Sequence, residues 1–176
     1  MTMYPFSHAN ATTVEETVGA LSATCRPLAG GTDLVGLMKQ GLAAPQQLVN
    51  LKTLDGLGGV RAEADGWRIG ALATLSALAA EPTVAGRPDV ACLVDAVVES
   101  ASPQLRHMAT VGGNLLQKPR CWYYRNPLTH CWRKGGQACY AFRGRNRYHV
   151  ILQGGPCYAV HPSDPAVALL ALDATV

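Results

Sequence analysis

The stretch Leu28-Ala29-Gly30-Gly31-Thr32-Asp33-Leu34 places two glycines and a threonine between two segments of different pattern. Before it, Pro27 disfavours a helix at the preceding residue, which predicts a short extended segment. After it, residues 33–40 are amphipathic and end at Gly41, a pattern typical of a short helix with a glycine cap. A strand, a glycine turn and a helix in this order expose successive backbone N–H groups, which suits a phosphate or pyrophosphate. A plain turn before a capped helix is the simpler interpretation, because the motif is neither GxGxxG nor Walker A.

A second glycine stretch strengthens the anion-binding interpretation. We name residues 28–35 the first glycine loop and residues 109–115 the second glycine loop. The second loop again combines a hydroxyl, a glycine pair and a polar side chain, in Thr110, Gly112, Gly113 and Asn114. Two such loops can form two walls of one phosphate-binding cleft. Farther along, Asp164 follows Ser163, where it either caps a helix or accepts a hydrogen bond from a ribose or ring N–H.

Helical and strand patterns are mixed along the rest of the chain, which indicates an α+β fold. Helices are predicted over residues 13–24, 74–81 and 88–101, and after Ser163. Strands are predicted over residues 47–51, on both sides of Asp65-Gly66 (59–64 and 67–71), and over 148–152 and 157–160 around a turn at 153–156. The periodicity predicts two buried faces: Val14, Val18, Leu21 and Cys25 in the first helix, and Val90, Cys92, Leu93, Val94, Val97 and Val98 in the longest.

The composition excludes several classes of protein. The chain has 176 residues, of which 48% are hydrophobic and 15% charged, so it is neither disordered nor collagen-like. Its 18 glycines and 11 prolines favour a mixed fold with many turns over a helical bundle. We expect no membrane span, since no run of 18 apolar residues exists. The N-terminus lacks the basic and apolar regions of a signal peptide, so we expect no export signal in this chain.

Positive charge and cysteines coincide in one segment. The net charge is +3, yet residues 118–149 hold eight Lys and Arg and no acidic residue, so the rest of the chain sums to −5. Four of the six cysteines lie in or just after this segment: Cys121, Cys131, Cys139 and Cys157. We name residues 117–157 the cysteine-rich segment. Residues 117–149 show neither a helical nor a strand period, so something other than a hydrophobic core must organise them.

Three explanations compete for the four cysteines. Disulfides require an oxidising compartment, and four unrelated buried thiols do not explain why the residues cluster. Metal or iron–sulfur ligation explains both the clustering and the missing core, because a bound metal contributes folding free energy. Lys and Arg nearby are expected to lower the pKa of the thiols and offset thiolate charge. The spacing contains no CxxC and leaves both zinc and an iron–sulfur cluster open.

Taken together, residues 27–34, 104–106, 109–115 and 161–164 resemble the FAD-binding subunit of the molybdenum hydroxylases. This is the xanthine dehydrogenase and aldehyde oxidoreductase family, with its PCMH-type FAD domain. The four-cysteine segment is similar to that of a subgroup whose flavin subunit also carries a 4Fe–4S cluster, and the run from Asn114 to Cys121 looks most like the aldehyde oxidoreductase type. The resemblance implies two small α/β subdomains, residues 1–55 and 56–176, with the cluster insert at 117–157.

The resemblance also assigns residues to cofactors. The first glycine loop would wrap the FAD pyrophosphate through Leu28, Ala29, Gly30, Gly31, Thr32, Asp33, Leu34 and Val35. Thr110, Gly113 and Asn114 would form the second wall, and Asp164 would contact the ribityl or an adjacent part of FAD. Cys121, Cys131, Cys139 and Cys157 would ligate the 4Fe–4S cluster. None of these residues would act as a catalytic acid or base.

In this family the flavin subunit relays electrons. The resemblance implies an oxidoreductase complex with a molybdenum-cofactor large subunit and a 2Fe–2S small subunit, and neither a nucleic-acid nor a membrane partner. With no signal of its own, the chain would be cytoplasmic, or periplasmic by co-export with a partner subunit. Family members continue beyond the position of Val176 through the segment near the isoalloxazine ring, so we expect the second subdomain to be incomplete.

Two other functions remain as alternatives. One is a zinc-stabilised nucleic-acid-binding module, because Arg143, Arg145 and Arg147 lie beside Tyr140 and other aromatic residues. It leaves both glycine loops unexplained. The other is a truncated remnant of the flavin subunit that keeps the fold and binds no cofactor.

Overall fold

Residues 7–50 contain a small parallel sheet and two helices. The computed structural model describes residues 3–152 and 155–176. Strands β1 (Ser7–Asn10), β2 (Cys25–Leu28) and β3 (Gln47–Asn50) pair in the order β1-β3-β2, with helices α1 (Val14–Ala20) and α2 (Leu34–Lys39) in the connections. β3 is central and contributes buried Leu48 and Val49. Pro27 is tolerated because β2 lies at the edge of the sheet.

A hairpin and five helices follow. β4 (Val60–Glu63) pairs antiparallel with β5 (Gly66–Ile69), and Glu63 lies opposite Gly66, so Ala64-Asp65 form the loop. The helices are α3 (Leu75–Ala80), α4 (Ala91–Glu99, after a 3-10 turn at Pro88–Val90), α5 (Pro103–Met108), α6 (Val111–Leu115) and, near the C-terminus, α8 (Asp164–Ala171). The larger hydrophobic core lies between α3, α4 and α8 around Leu75, Leu78 and Val97. None of the described helices has the length and hydrophobicity required to cross a bilayer.

The cysteine-rich segment contains only single turns in its described part. These are α7 (Trp122–Arg125) and 3-10 turns at Trp132–Lys134 and Tyr140–Phe142. The predicted strands at 148–152 and 157–160 do not form; one backbone hydrogen bond, from Val150 N–H to the Tyr158 carbonyl at 3.0 Å, joins these stretches. The turn predicted between them includes residues 153 and 154, which lie outside the described residues.

Hydroxyl side chains cap several of the helices. Thr13 Oγ1 accepts from the Glu16 N–H at 3.0 Å, and Thr74 and Ser163 cap α3 and α8 in the same way. Glu16 in turn accepts from Thr12, which lowers the pKa of its carboxyl group through those hydrogen bonds. The predicted helices at 13–24, 74–81 and 88–101 and the predicted strand at 47–51 are present, with shorter bounds.

Two predicted buried faces are partly wrong. In α1 the buried residue is Thr17, whereas Val14, Val18 and Leu21 are exposed. Cys25 is buried against Val49, as predicted. In α4 and its leading turn, Val90, Leu93 and Val97 are buried, but Cys92 and Val98 are exposed. The apolar stripe of α4 is therefore narrower than the sequence indicates, because α3 and α8 cover one side of the helix only.

Adjacent valines in α4 provide a matched test of this packing. Val97 is 0% exposed and Val98 is 41% exposed. We expect Val97→Ala to lower the free energy of unfolding by about 2 kcal/mol, because it leaves a cavity in the core. Val98→Ala removes the same atoms from a solvated position, so its effect should stay within about 0.5 kcal/mol. Urea unfolding of both variants checks this; equal losses would contradict the packing described here.

Candidate functional site

The first glycine loop lies between the end of β2 and the start of α2. Gly31 has φ +73°, a left-handed conformation that favours glycine. Among the described residues, the N–H groups of residues 30–34 donate no hydrogen bond, and α2 has no side-chain N-cap. These N–H groups are therefore available to an anionic ligand.

The two glycine loops are in direct contact. A Cβ on Gly30 would overlap the carbonyl oxygen of Met108 and approach the N–H nitrogen of Ala109. Gly30 is not in a left-handed conformation, so the requirement for glycine at this position is steric. The sequence prediction that the two loops form adjacent walls agrees with this placement.

Backbone hydrogen bonds hold the second glycine loop against residues 71–73. The N–H groups of Val111 and Gly112 donate to the carbonyls of Ala73 and Ala71, each at 2.9 Å. Buried Thr110 caps α6 by accepting from the Gly113 N–H at 3.2 Å. This loop therefore offers a ligand few free N–H groups. A ligand would therefore contact the side chains of Thr110 or Asn114, or lie close to the backbone at exposed Gly113.

The Ser-Asp motif lies beside the second glycine loop. The hydroxyl of Ser163, 1% exposed, donates to Asn114 Oδ1 and accepts from the Ala166 N–H at 3.1 Å. Asp164 is exposed at the start of α8, and its carboxylate accepts from Ser100 Oγ at 3.4 Å. Asp164 thus directly follows the residue that contacts Asn114, while its own carboxylate contacts Ser100.

The carboxylate of Asp33 faces the cysteine-rich segment. Its two oxygens accept from the Lys118 backbone N–H at 2.8 Å and from Arg125 Nη2 at 3.0 Å. The side chains of Asp33 and Arg125 are 18% and 16% exposed, so this ion pair is largely buried. Asp33 is a predicted residue of the first glycine loop, whereas its partner Arg125 is not predicted, because it lies 92 residues away and carries no local signal of this contact.

All four predicted ligand cysteines line one small pocket. Aromatic side chains and Arg133 complete its wall: Tyr123, Tyr124, Trp132 and Tyr140. All six cysteines are free thiols, which does not fit the alternative of disulfide bonds. The four predicted ligands lie together, which does not fit the alternative of four unrelated buried thiols. Within residues 3–152 and 155–176, no three or more His, Cys, Asp or Glu side chains surround a single ion position.

Two hydrogen bonds reach the thiols from nitrogen atoms. His149 Nε2 lies 3.1 Å from Cys121 Sγ, and Arg133 Nε donates to Cys157 Sγ at 3.0 Å. His149 is buried, packs edge-on against Trp122 with ring centroids 5.0 Å apart, and leaves its Nδ1 without a partner among the described residues. The sequence does not predict a role for His149, because its contact with Cys121 spans 28 residues of irregular chain.

Burial dominates the protonation of Cys121. Desolvation raises the pKa of this thiol, and backbone N–H groups of Tyr124 and Tyr123 lower it by a smaller amount. The expectation that nearby Lys and Arg lower the pKa of the thiols is therefore wrong at Cys121. The basic side chains of the segment lie mainly at the surface, where water screens their charge.

A glycine-rich loop between a parallel strand and the N-terminus of a helix is a common binding site for the phosphate groups of a nucleotide. Residues 4–176 match the family model described as the FAD binding domain in molybdopterin dehydrogenase, and the chain belongs to this family. Its fold is accordingly the PCMH-type FAD-binding fold.

Three relatives illustrate the likeness. The aldehyde oxidoreductase FAD-binding subunit PaoB of Escherichia coli (strain K12) is 42% identical over 164 residues, which is 89% of this chain and 51% of that protein. The carbon monoxide dehydrogenase medium chain of Afipia carboxidovorans is 38% identical over 94 residues, 53% of this chain and 32% of that one. A solved CO dehydrogenase from Oligotropha carboxidovorans superposes with TM-score 0.60 at 33% identity, covering 65% of this chain and 41% of the other. The matched part of this chain thus spans about half the length of PaoB and less than half the length of the other two proteins.

The contact between the loops can be tested with two glycines. We expect Gly30→Ala to lower the free energy of unfolding by about 1–3 kcal/mol, because the methyl group forces the loops apart. Gly36, in α2, has no atom within 4 Å of a Cβ position, so Gly36→Ala should be neutral or stabilise by up to about 1 kcal/mol. Urea unfolding compares the two; a stable Gly30→Ala protein would mean that the loops do not touch.

Proposed function

We propose that this chain is the flavin-binding part of an electron-transfer subunit of a molybdenum-containing hydroxylase of the aldehyde oxidoreductase type. In this role it relays electrons from iron–sulfur clusters through FAD to an acceptor. The observation that carries the proposal is the contact of the two glycine loops at Gly30, in a chain of the FAD-binding family. The 42% identity to a protein described as an aldehyde oxidoreductase subunit supports the reaction class.

The first glycine loop fits the pyrophosphate of FAD. The free N–H groups of residues 30–34 would each donate to a charged oxygen, a bond of about 1.5–3 kcal/mol. Gly30 and Gly31 keep the wall of the site free of side chains. The second glycine loop and Asp164 would contact the remainder of the cofactor by side chains. When bound, FAD supplies the capacity to accept and return electrons, and the chain binds and orients it.

We further propose that Cys121, Cys131, Cys139 and Cys157 hold a 4Fe–4S cluster. Four thiols around one cavity suit a group with four attachment points, and the cavity wall contains no acidic residue. Ligation keeps the thiols deprotonated, which offsets the raised pKa of Cys121. A thiolate only accepts hydrogen bonds, so His149 and Arg133 would donate to the ligating sulfurs and stabilise their negative charge.

The partners follow from the same assignment. We propose a molybdenum-cofactor large subunit and a 2Fe–2S small subunit, in the cytoplasm or in the periplasm after co-export with a partner. The words "subunit" and "medium chain" in the descriptions of the relatives support a multi-chain complex. Membership in the FAD-binding family accounts for both glycine loops, so a zinc-stabilised nucleic-acid-binding module is not favoured.

An absorption spectrum of protein purified without oxygen tests the proposal, with iron, sulfide, zinc and flavin assayed on the same sample. About four iron and four sulfide per chain, together with flavin bands, are expected. Stoichiometric zinc without iron would contradict the cluster. A folded protein with neither metal nor flavin would instead identify a remnant that keeps the fold alone.

Two cysteines separate ligation from a general effect of thiol loss. Cys131 is buried in the cavity wall, and Cys92 is exposed on α4, outside the segment. We expect Cys131→Ser to lose most of the iron and sulfide, because a serine oxygen is a poor replacement for a thiolate ligand. Cys92→Ser should retain them. Iron content like that of the unmodified protein in Cys131→Ser would remove Cys131 from the ligand set.

His149 is expected to tune the proposed cluster. Phenylalanine in its place keeps the packing on Trp122 and removes the hydrogen bond to Cys121. The reduction potential should fall, since hydrogen bonds to the sulfurs favour the more negative reduced state. A redox titration followed by electron paramagnetic resonance measures this. An unchanged potential in His149→Phe, with full iron content, would show that His149 does not donate to the cluster.

A further inference from the structure

A largely buried ion pair joins the first glycine loop to the cysteine-rich segment. Arg125 Nη2 donates to Asp33 Oδ1 at 3.0 Å, and both side chains are less than one-fifth exposed. The second oxygen of Asp33 accepts from the backbone N–H of Lys118 at 2.8 Å. Both oxygens of this carboxylate are therefore satisfied by the cysteine-rich segment.

Arg125 is itself fixed by the cysteine-rich segment. Its Nε donates to the Pro119 carbonyl at 2.9 Å, and its Nη2 also reaches the Lys118 carbonyl at 3.3 Å. Its backbone N–H donates to the carbonyl of Cys121 at 2.9 Å, so the guanidinium group belongs to the turn that begins at a proposed cluster ligand. The order of this turn determines whether the positive charge reaches Asp33.

The charge of Asp33 conflicts with the proposed ligand of its own loop. A pyrophosphate is anionic, and Asp33 directly follows Thr32, whose N–H is one of the free donors. An uncompensated carboxylate at this position would repel the ligand and weaken its binding. Arg125 removes that repulsion, and partial burial protects the pair from screening by salt.

We propose that Asp33 and Arg125 form a charge-neutralising link through which the cysteine-rich segment sets the affinity of the first glycine loop for the pyrophosphate of FAD. This inference rests on the proposed function. The side chains of Asp33 and Arg125 act as positioning groups, and neither side chain donates to the ligand. Because coupling between two sites is reciprocal, occupancy of one cofactor site favours order at the other.

A double-variant cycle tests the link, with FAD and ADP as probes of the full chain. ADP carries the pyrophosphate without the flavin ring, so its binding reports on the glycine loop alone. We expect Arg125→Leu to weaken ADP binding about tenfold, because it leaves the Asp33 charge uncompensated. Asp33→Asn combined with Arg125→Leu should recover most of that loss. If Arg125 only stabilised the cysteine-rich segment, the double variant would bind ADP no more tightly than Arg125→Leu does. That result would overturn the proposal.

Two controls complete the design. Arg143→Leu removes the same charge from an exposed position in the same segment and should leave ADP affinity within about twofold. A tenfold loss in Arg143→Leu would overturn the link, because the total positive charge of the segment would then set the affinity. Arg125→Gln provides a second charge-removing variant if Arg125→Leu does not fold, and the same recovery by Asp33→Asn is expected.

Removal of the metal tests the same coupling from the other side. Cys131→Ser should weaken ADP binding in the unmodified background and have little effect in the double variant, where Asp33 carries no charge. Equal effects in both backgrounds would overturn the coupling. If the unmodified chain binds neither FAD nor ADP, the proposed function itself fails. If it binds them and the variants show no recovery, the charge-neutralising link alone fails.

Discussion

The backbone of Gly30 lies against the carbonyl of Met108, and the arrangement of the candidate site depends on this contact. It joins the loop at the end of β2 to the end of α5, two parts of the chain that share no sheet. Any side chain at residue 30 would separate them. Since the second loop is fixed by hydrogen bonds to Ala71 and Ala73, the contact places the free N–H groups of the first loop on a rigid support.

Features of the fold that rest on local chemistry could be predicted from the sequence. Thr13, Thr74 and Ser163 cap helices because a hydroxyl before a helix satisfies a free N–H group, whatever surrounds it. Strand β1 was not predicted, because Ser7–Asn10 has no apolar pattern and exists through its pairing with β3. Val98 was wrongly predicted as buried for a related reason. Which side of α4 is covered depends on α3 and α8, and periodicity carries no information about them.

In the candidate site, too, the residues with a local sequence signal could be predicted and the others could not. The glycine loops could be recognised because a backbone that must approach a ligand or another chain segment requires glycine in the sequence itself. The grouping of the four cysteines is predicted from their positions in a basic segment without a helical or strand period, and the structure adds the common pocket. Arg125 and His149 could not be found in this way. Each acts through a partner far along an irregular chain, and an arginine or histidine in a basic, aromatic segment has no periodic pattern that distinguishes it.

The stability of the cysteine-rich segment determines whether Arg125 reaches Asp33. The segment contributes few residues to a hydrophobic core, and its described part is held by single turns, by aromatic contacts such as Tyr123 on Tyr140, and by hydrogen bonds to thiols. A segment of this kind has low local stability, so a metal bound at its cysteines would contribute much of its order. Arg125 lies on the turn after Cys121, and its guanidinium group donates to Asp33. The charge at the first glycine loop therefore depends on the same segment that brings the four thiols together.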